Sequence, residues 1–116
     1  MNPGNDELST TSYSSITEAL IEKVSEVAES KGITILRFAY DDAVTELCDE
    51  LDKGLVIDPW PASRPGLSRS KVTVRMSVDI AERMKKTAKK HGTRPGTFFR
   101  VALIRWLGRH GVEYRD

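Results

Sequence analysis

The sequence is poor in the residues from which disulfide frameworks, metal centres and membrane spans are built. Its 116 residues include one cysteine and two histidines. The single cysteine, Cys48, excludes an internal disulfide framework and suits a reducing compartment. His91 and His110 have no cysteine or acidic partners at metal-ligand spacing, so we expect no metal site. No uncharged apolar run approaches the roughly 20 residues of a membrane-spanning helix, so we expect no membrane association.

The signals for secretion and for catalysis are missing as well. No charged segment followed by an apolar segment opens the chain, so we expect a cytoplasmic protein. No glycine-rich phosphate loop, catalytic dyad or nucleotide-binding fingerprint is present, and we therefore expect neither enzymatic activity nor a cofactor. No neighbouring motif offers Cys48 a base, so it is predicted to be a small apolar filler rather than a nucleophile.

Net charge is also nearly absent, but the two signs are separated along the chain. The whole sequence carries +1. Residues 1–58 hold 4 basic and 13 acidic side chains, net −9, whereas residues 59–116 hold 14 basic and 4 acidic side chains, net +10. A basic segment of this density usually has an anionic partner. The alternative is that the two halves attract each other and bind nothing else.

Hydrophobic spacing predicts four helices and one clear strand. Apolar residues recur at three- and four-residue intervals in four segments, at about 16–31, 35–51, 77–90 and 95–109. The run Lys71–Met76 alternates polar and apolar residues, which predicts a strand with one buried face. Residues 1–9 are predicted to be a flexible tail. Residues 55–70, with Pro59, Pro61 and Pro65, are predicted to be a linker.

The second half of the chain repeats the first at an offset of 60 positions. Five identical pairs fall at this offset, and they are Glu22/Glu82, Ala28/Ala88, Gly32/Gly92, Phe38/Phe98 and Leu47/Leu107. Several solvent-facing pairs reverse their charge, among them Glu26/Lys86 and Glu29/Lys89. The pattern predicts two strand-helix-glycine-helix units, residues 10–54 (acidic) and 71–112 (basic), with both phenylalanines in the core.

The two units are predicted to form one domain. A lone strand leaves its backbone N–H and C=O groups unpaired, and about 45 residues are too few to bury two helices. We therefore expect the strand of the second unit to pair antiparallel with a first strand, placed by the repeat at Thr10–Ile16. All four helices would then share one core.

The strand Lys71–Met76 and the turn Gly92–Phe98 resemble the ribbon-helix-helix family of DNA-binding proteins, which includes the Arc and methionine repressors. The resemblance implies a mostly α fold with a short two-stranded antiparallel ribbon that enters the DNA major groove. With both units in one chain, it implies an intramolecular pseudo-dimer. This tandem form resembles the border-binding accessory factors of T-DNA-transferring bacteria, which implies a virulence-associated role in DNA transfer or processing, or in transcriptional regulation.

The resemblance also implies which residues bind DNA. Outward side chains of the second strand would contact base edges, and the amide groups at the start of the last helix would bind a phosphate. The first strand would contribute Thr11, Tyr13 and Ser15 on its outward face. The complete predicted set is Lys71, Thr73, Arg75, Arg69, Thr93, Arg94, Gly96, Thr97, Thr11, Tyr13 and Ser15.

The expected partner is double-stranded DNA, and the protein is expected to be a monomer in solution. Single-stranded DNA and other DNA-processing proteins stay open as further partners. The rival hypothesis is a protein-interaction adaptor, antitoxin-like or partition-like, in which the acidic half binds a partner.

Of the two tryptophans, Trp60 is predicted to pin the linker to the helices. Trp106 is predicted to lie on a semi-exposed face, with packing favoured over a partner contact.

Overall fold

The computed structural model describes residues 8–13, 15–61 and 72–114. Within these ranges the fold is mostly helical, with one two-stranded antiparallel sheet. The elements in chain order are β1 (Leu8–Tyr13), α1 (Glu18–Ser30), α2 (Leu36–Asp52), β2 (Val72–Ser77), α3 (Val78–Lys90) and α4 (Pro95–Arg109). The four predicted helices are confirmed, and none of the helices described is long and apolar enough to cross a membrane.

Local signals explain where the helices begin and end. The Thr17 hydroxyl caps α1 by accepting a hydrogen bond from the Leu20 N–H at 3.2 Å. Gly32 and Gly92 follow α1 and α3 with φ angles of 79° and 73°, in the left-handed region that glycine adopts without steric cost. Each of these glycines turns the chain into the next helix of its half.

The two strands pair as predicted, but the first one lies earlier in the chain than expected. Leu8 is opposite Ser77, and Tyr13 is opposite Val72. The strand predicted at Thr10–Ile16 therefore begins and ends too late, and Leu8 and Ser9, predicted to belong to the flexible tail, are part of β1. The helices keep the 60-residue offset, since α1 spans 18–30 and α3 spans 78–90, but Leu8 and Val72 begin the strands 64 positions apart. Four additional residues, 14–17, separate β1 from α1, whereas β2 leads directly into α3.

One contiguous core joins both halves of the chain. Its largest fully buried side chains include Trp106, Phe98 and Phe99 from α4, Leu20 from α1 and Leu47 from α2. The inner face of the ribbon closes the core with two residues of β2, Val74 and Met76. Cys48 is also fully buried, and burial raises the pKa of its thiol, so its predicted role as a core filler is confirmed.

The two phenylalanines at equivalent positions of the repeat have different environments. Phe98 is fully buried and stacks on Trp60, with ring centroids 5.8 Å apart. The prediction that Trp60 pins the linker to the helices is therefore confirmed. Phe38 is 51% exposed, so its predicted place in the core is wrong. The physical reason is the linker, because it carries a tryptophan across Phe98 but not across Phe38.

Trp106 lies in the core rather than on the predicted semi-exposed face. It is fully buried, and its indole Nε1–H donates a hydrogen bond to Asp42 Oδ2 at 3.0 Å. The favoured packing role is confirmed. The carboxylate on α2 satisfies the one polar group of the indole ring, and this makes complete burial possible.

Candidate nucleic-acid interface

The outward face of the ribbon is exposed and, apart from Leu8 at its end, polar. Residues paired across an antiparallel ladder share a face, so Ser12 lies beside Thr73 and Thr10 beside Arg75. All four residues are exposed. The hydroxyl groups of Ser12 and Thr73 are 3.2 Å apart and hydrogen-bonded. The face therefore presents three hydroxyl groups and one guanidinium group.

The first strand presents residues other than those predicted from the sequence. The expectation that Thr11 and Tyr13 project outward is wrong, because both lie on the face that packs against the helices. Tyr13 is 9% exposed, its ring centroid is 5.7 Å from that of Phe99, and burial raises the pKa of its phenol. Sequence reasoning missed Thr10 and Ser12. Tyr13 was the signal that could have identified them. Side chains alternate between the two faces of a strand, so an inward Tyr13 directs Ser12 and Thr10 outward.

The first turn of α4 lies against the end of β1. A Cβ atom added to Gly96 would be 2.6 Å from Ser15 Oγ and 3.2 Å from Tyr13 Cδ1. Ser15 therefore lies beyond the strand, half-buried beside Gly96, rather than on the outward face of the ribbon. A side chain at this position would require Ser15 and Tyr13 to shift, so Gly96 allows the start of the helix to lie close to the end of the ribbon.

The start of α4 has the local features of an anion-binding helix terminus. The side chain of its N-cap residue, Arg94, makes no capping hydrogen bond, and its first turn contains no acidic residue. Arg94 precedes the helix with an extended backbone and an exposed side chain, and Thr93 and Thr97 are half-buried on either side. The unpaired N–H groups of a first turn carry a positive partial charge. Arg94 adds a full positive charge at the same end.

Four carboxylates of α2 form ion pairs within the molecule. Three arginines of the basic half bind carboxylates of α2. Arg83 binds Asp49 at 2.7 Å and Asp52 at 3.0 Å. Arg105 binds Glu50 at 2.7 Å, and Arg109 binds both Glu46, at 2.8 Å, and Glu50. Attraction between the halves, the alternative explanation of the charge separation, therefore accounts for part of it.

Other cations of the basic half have no carboxylate partner within the described ranges. They are Arg75, Lys85, Lys86, Lys89, Lys90 and Arg94. Arg75 and Arg94 are also members of the predicted DNA-binding set. The backbone of β2 near Arg75 is fixed by α2, because the N–H and hydroxyl groups of Ser77 donate to the Asp41 carboxylate at 3.0 and 2.5 Å.

Comparison with protein-family models, curated proteins and solved structures gives no match to this chain. The assignment of the interface therefore depends on its geometry. Two predicted residues, Arg69 and Lys71, lie outside the described residues. Of the others, the structure brings Thr73 and Arg75 together on the ribbon, and it brings Gly96 to the end of β1.

Proposed function

We propose that this chain is a DNA-binding protein that inserts the β1–β2 ribbon into the major groove. It would act as an accessory factor in DNA transfer or processing, or as a transcriptional regulator. The observation that carries the proposal is the outward face of the ribbon, where Arg75, which has no carboxylate partner among the described residues, lies among three hydroxyl groups. A two-stranded antiparallel ribbon fits the width of the major groove, and its outward side chains then reach the base edges.

The side chains of the face suit particular base contacts. Arg75 would donate to O6 and N7 of a guanine, the most common specific contact in the major groove. The hydroxyl groups of Thr73 and its neighbour Ser12 would form hydrogen bonds with bases. The Thr73 methyl group would contact a thymine methyl group. The first turn of α4 with Arg94 would hold a backbone phosphate, which positions the protein on the duplex without specifying its sequence.

The proposal includes a pseudo-dimeric arrangement of two ribbon-helix-helix units within one chain. Two observations support it. α1 and α3 have equal lengths and lie 60 residues apart, and each is followed by a glycine with a positive φ angle. In this arrangement each unit supplies one strand. The two strands carry different side chains, since Thr10 of β1 lies opposite Arg75 of β2. The preferred DNA site of one chain is therefore not expected to be an inverted repeat.

Selection of duplexes from a random pool, followed by fluorescence anisotropy on the selected site, tests the proposal. Arg75→Ala should weaken binding to that site by about 5- to 150-fold, equivalent to about 1–3 kcal/mol, and should relax the preference for one base. Lys90→Ala is the matched control, because it removes one unpaired exposed cation from α3, away from the ribbon. It should weaken binding slightly and equally on every sequence.

Salt dependence separates DNA binding from the rival adaptor function. With about 4–6 phosphates neutralised, log affinity should fall against log salt with a slope of roughly −4 to −5. A flat response, or no duplex binding at low salt, would refute the proposal and favour a protein-interaction adaptor. An equal loss on all sequences for Arg75→Ala would make Arg75 a phosphate contact.

A further inference from the structure

Helix α1 displays a stripe of carboxylates that has almost no partner within the described ranges. Glu18, Glu22, Glu26 and Glu29 are all exposed. At 3.6 residues per turn they fall within an arc of about 80° on the helix surface. Among the described residues, one ion pair reaches the stripe and joins Lys23 and Glu26 at 3.9 Å, with side chains 41% and 68% exposed.

This stripe contributes little to the stability of its own helix, and only Glu18, in the first turn, lies where the helix dipole favours negative charge. Glu18 and Glu22, like Glu22 and Glu26, are four residues apart, a spacing at which like charges repel. Glu29 lies in the last turn, where the helix dipole disfavours negative charge, and no basic residue there offsets it. The buried face of α1 consists of Leu20, Val24, Val27 and Ala28, so the stripe plays no part in packing either.

Helix α3 displays a basic stripe on the equivalent arc of its surface. The positions 60 residues beyond Glu26 and Glu29 are Lys86 and Lys89, and Lys85 lies beside them. All three lysines are exposed and make no ion pair within the described ranges. The arc also contains Glu82, so it is predominantly but not wholly basic. α1 and α3 have the same length of 13 residues. The acidic stripe extends over residues 18–29, whereas the lysines extend only over residues 85–89, so the basic stripe faces about one turn of the acidic stripe with charge of the opposite sign.

We infer that the acidic stripe of α1 in one copy of this chain docks on the basic stripe of α3 in a second copy. The contact is head-to-tail, so each copy retains one free stripe of each sign and the association can extend beyond a pair. Exposed ion pairs are individually weak, and salt screens them. We therefore expect the association at low ionic strength, or where other contacts already hold the chains close together.

Sedimentation equilibrium with charge-reversed chains, in the absence of DNA, tests this inference. The wild-type chain should show an average mass that rises with concentration at about 20 mM salt and returns to the monomer mass at about 300 mM. A chain with Glu22→Lys and Glu26→Lys should be monomeric at both salt concentrations. A chain with Lys86→Glu and Lys89→Glu should be monomeric as well.

Mixing the two variants gives the decisive result. An equimolar mixture should associate again, because each variant now offers the sign that the other lacks, and one chain carrying all four substitutions should also self-associate. Lys53→Glu is the control, since it reverses an exposed charge just after α2, outside both stripes, and should leave the association unchanged. Circular dichroism establishes that each variant is folded.

Two outcomes would overturn the inference. One is a wild-type chain that remains monomeric at low salt up to the highest concentration measured. The other is a mixture of folded variants that does not associate. Because no DNA is present in these measurements, their result is independent of the proposed DNA binding.

Discussion

Replacing Glu50 by glutamine should destabilise the fold by about 1–2 kcal/mol. Glu50 lies on α2 between Arg105 and Arg109 of α4 and binds both. The side chains of Glu50, Arg105 and Arg109 are 34%, 36% and 33% exposed, so solvent screens each pair, and each is worth about 0.5–1 kcal/mol. For a domain of this size the loss corresponds to a fall in Tm of roughly 4–10 °C.

Urea unfolding followed by far-UV circular dichroism measures this loss. At about 1 M salt the Debye length is only about 3 Å, so the difference between Glu50→Gln and the wild type should shrink. Glu29→Gln is the matched control, because it removes the same charge from the exposed stripe of α1. Its free energy of unfolding should stay within about 0.5 kcal/mol of the wild type. Equal effects of the two substitutions would refute an internal role for the charge separation.

Two further substitutions test the core. Trp106→Phe removes part of a fully buried ring together with its hydrogen bond to Asp42, and should lower the free energy of unfolding by about 2–4 kcal/mol in urea; a loss below about 0.5 kcal/mol would contradict the packing role. Burial raises the pKa of Tyr40 to about 12. The fold therefore favours the neutral phenol, so its contribution is complete below the unfolded pKa of about 10 and is lost as pH rises from about 10 to 12. Over this pH window the free energy of unfolding should fall less for Tyr40→Phe than for the wild type. Urea midpoints that changed equally in the two proteins from about pH 8 to 11 would contradict the assignment.

The helices could be predicted from the sequence because their signals are local. α4 begins at Pro95 and ends at Arg109, as predicted, since proline suits a first helical turn and Gly111 follows the last one. The second strand was clear for a similar reason, because Val72, Val74 and Met76 alternate with polar residues. Each of these signals extends over only a few neighbouring residues.

The first strand could not be placed in the same way. Ser and Thr fill most of β1, so its sequence has little alternation between apolar and polar residues. The repeat alone predicts its position, and the four residues 14–17 between β1 and α1 break that correspondence. The error reversed the two faces of the strand. It placed Tyr13 outward and left Thr10 and Ser12 out of the candidate interface.

Tertiary contacts explain the other differences. Phe38 and Phe98 have equivalent positions in the repeat, but only Phe98 lies under Trp60. The pairing of Glu50 with two arginines depends on the packing of α2 against α4, which the distribution of charge along the chain does not specify. The charge separation therefore left attraction between the halves as an alternative to an anionic partner, without indicating which carboxylates form the ion pairs.

The pairing of residues 8–13 with residues 72–77 has a consequence for the order of folding. Joining two segments so distant in sequence closes a long loop, and an isolated pair of strands is marginally stable in water. The helices form from neighbouring residues, whereas the ribbon has to wait until the core brings its two strands together. We therefore expect the ribbon to assemble late in folding, so its outward face acquires its shape only once the helices beneath it have packed.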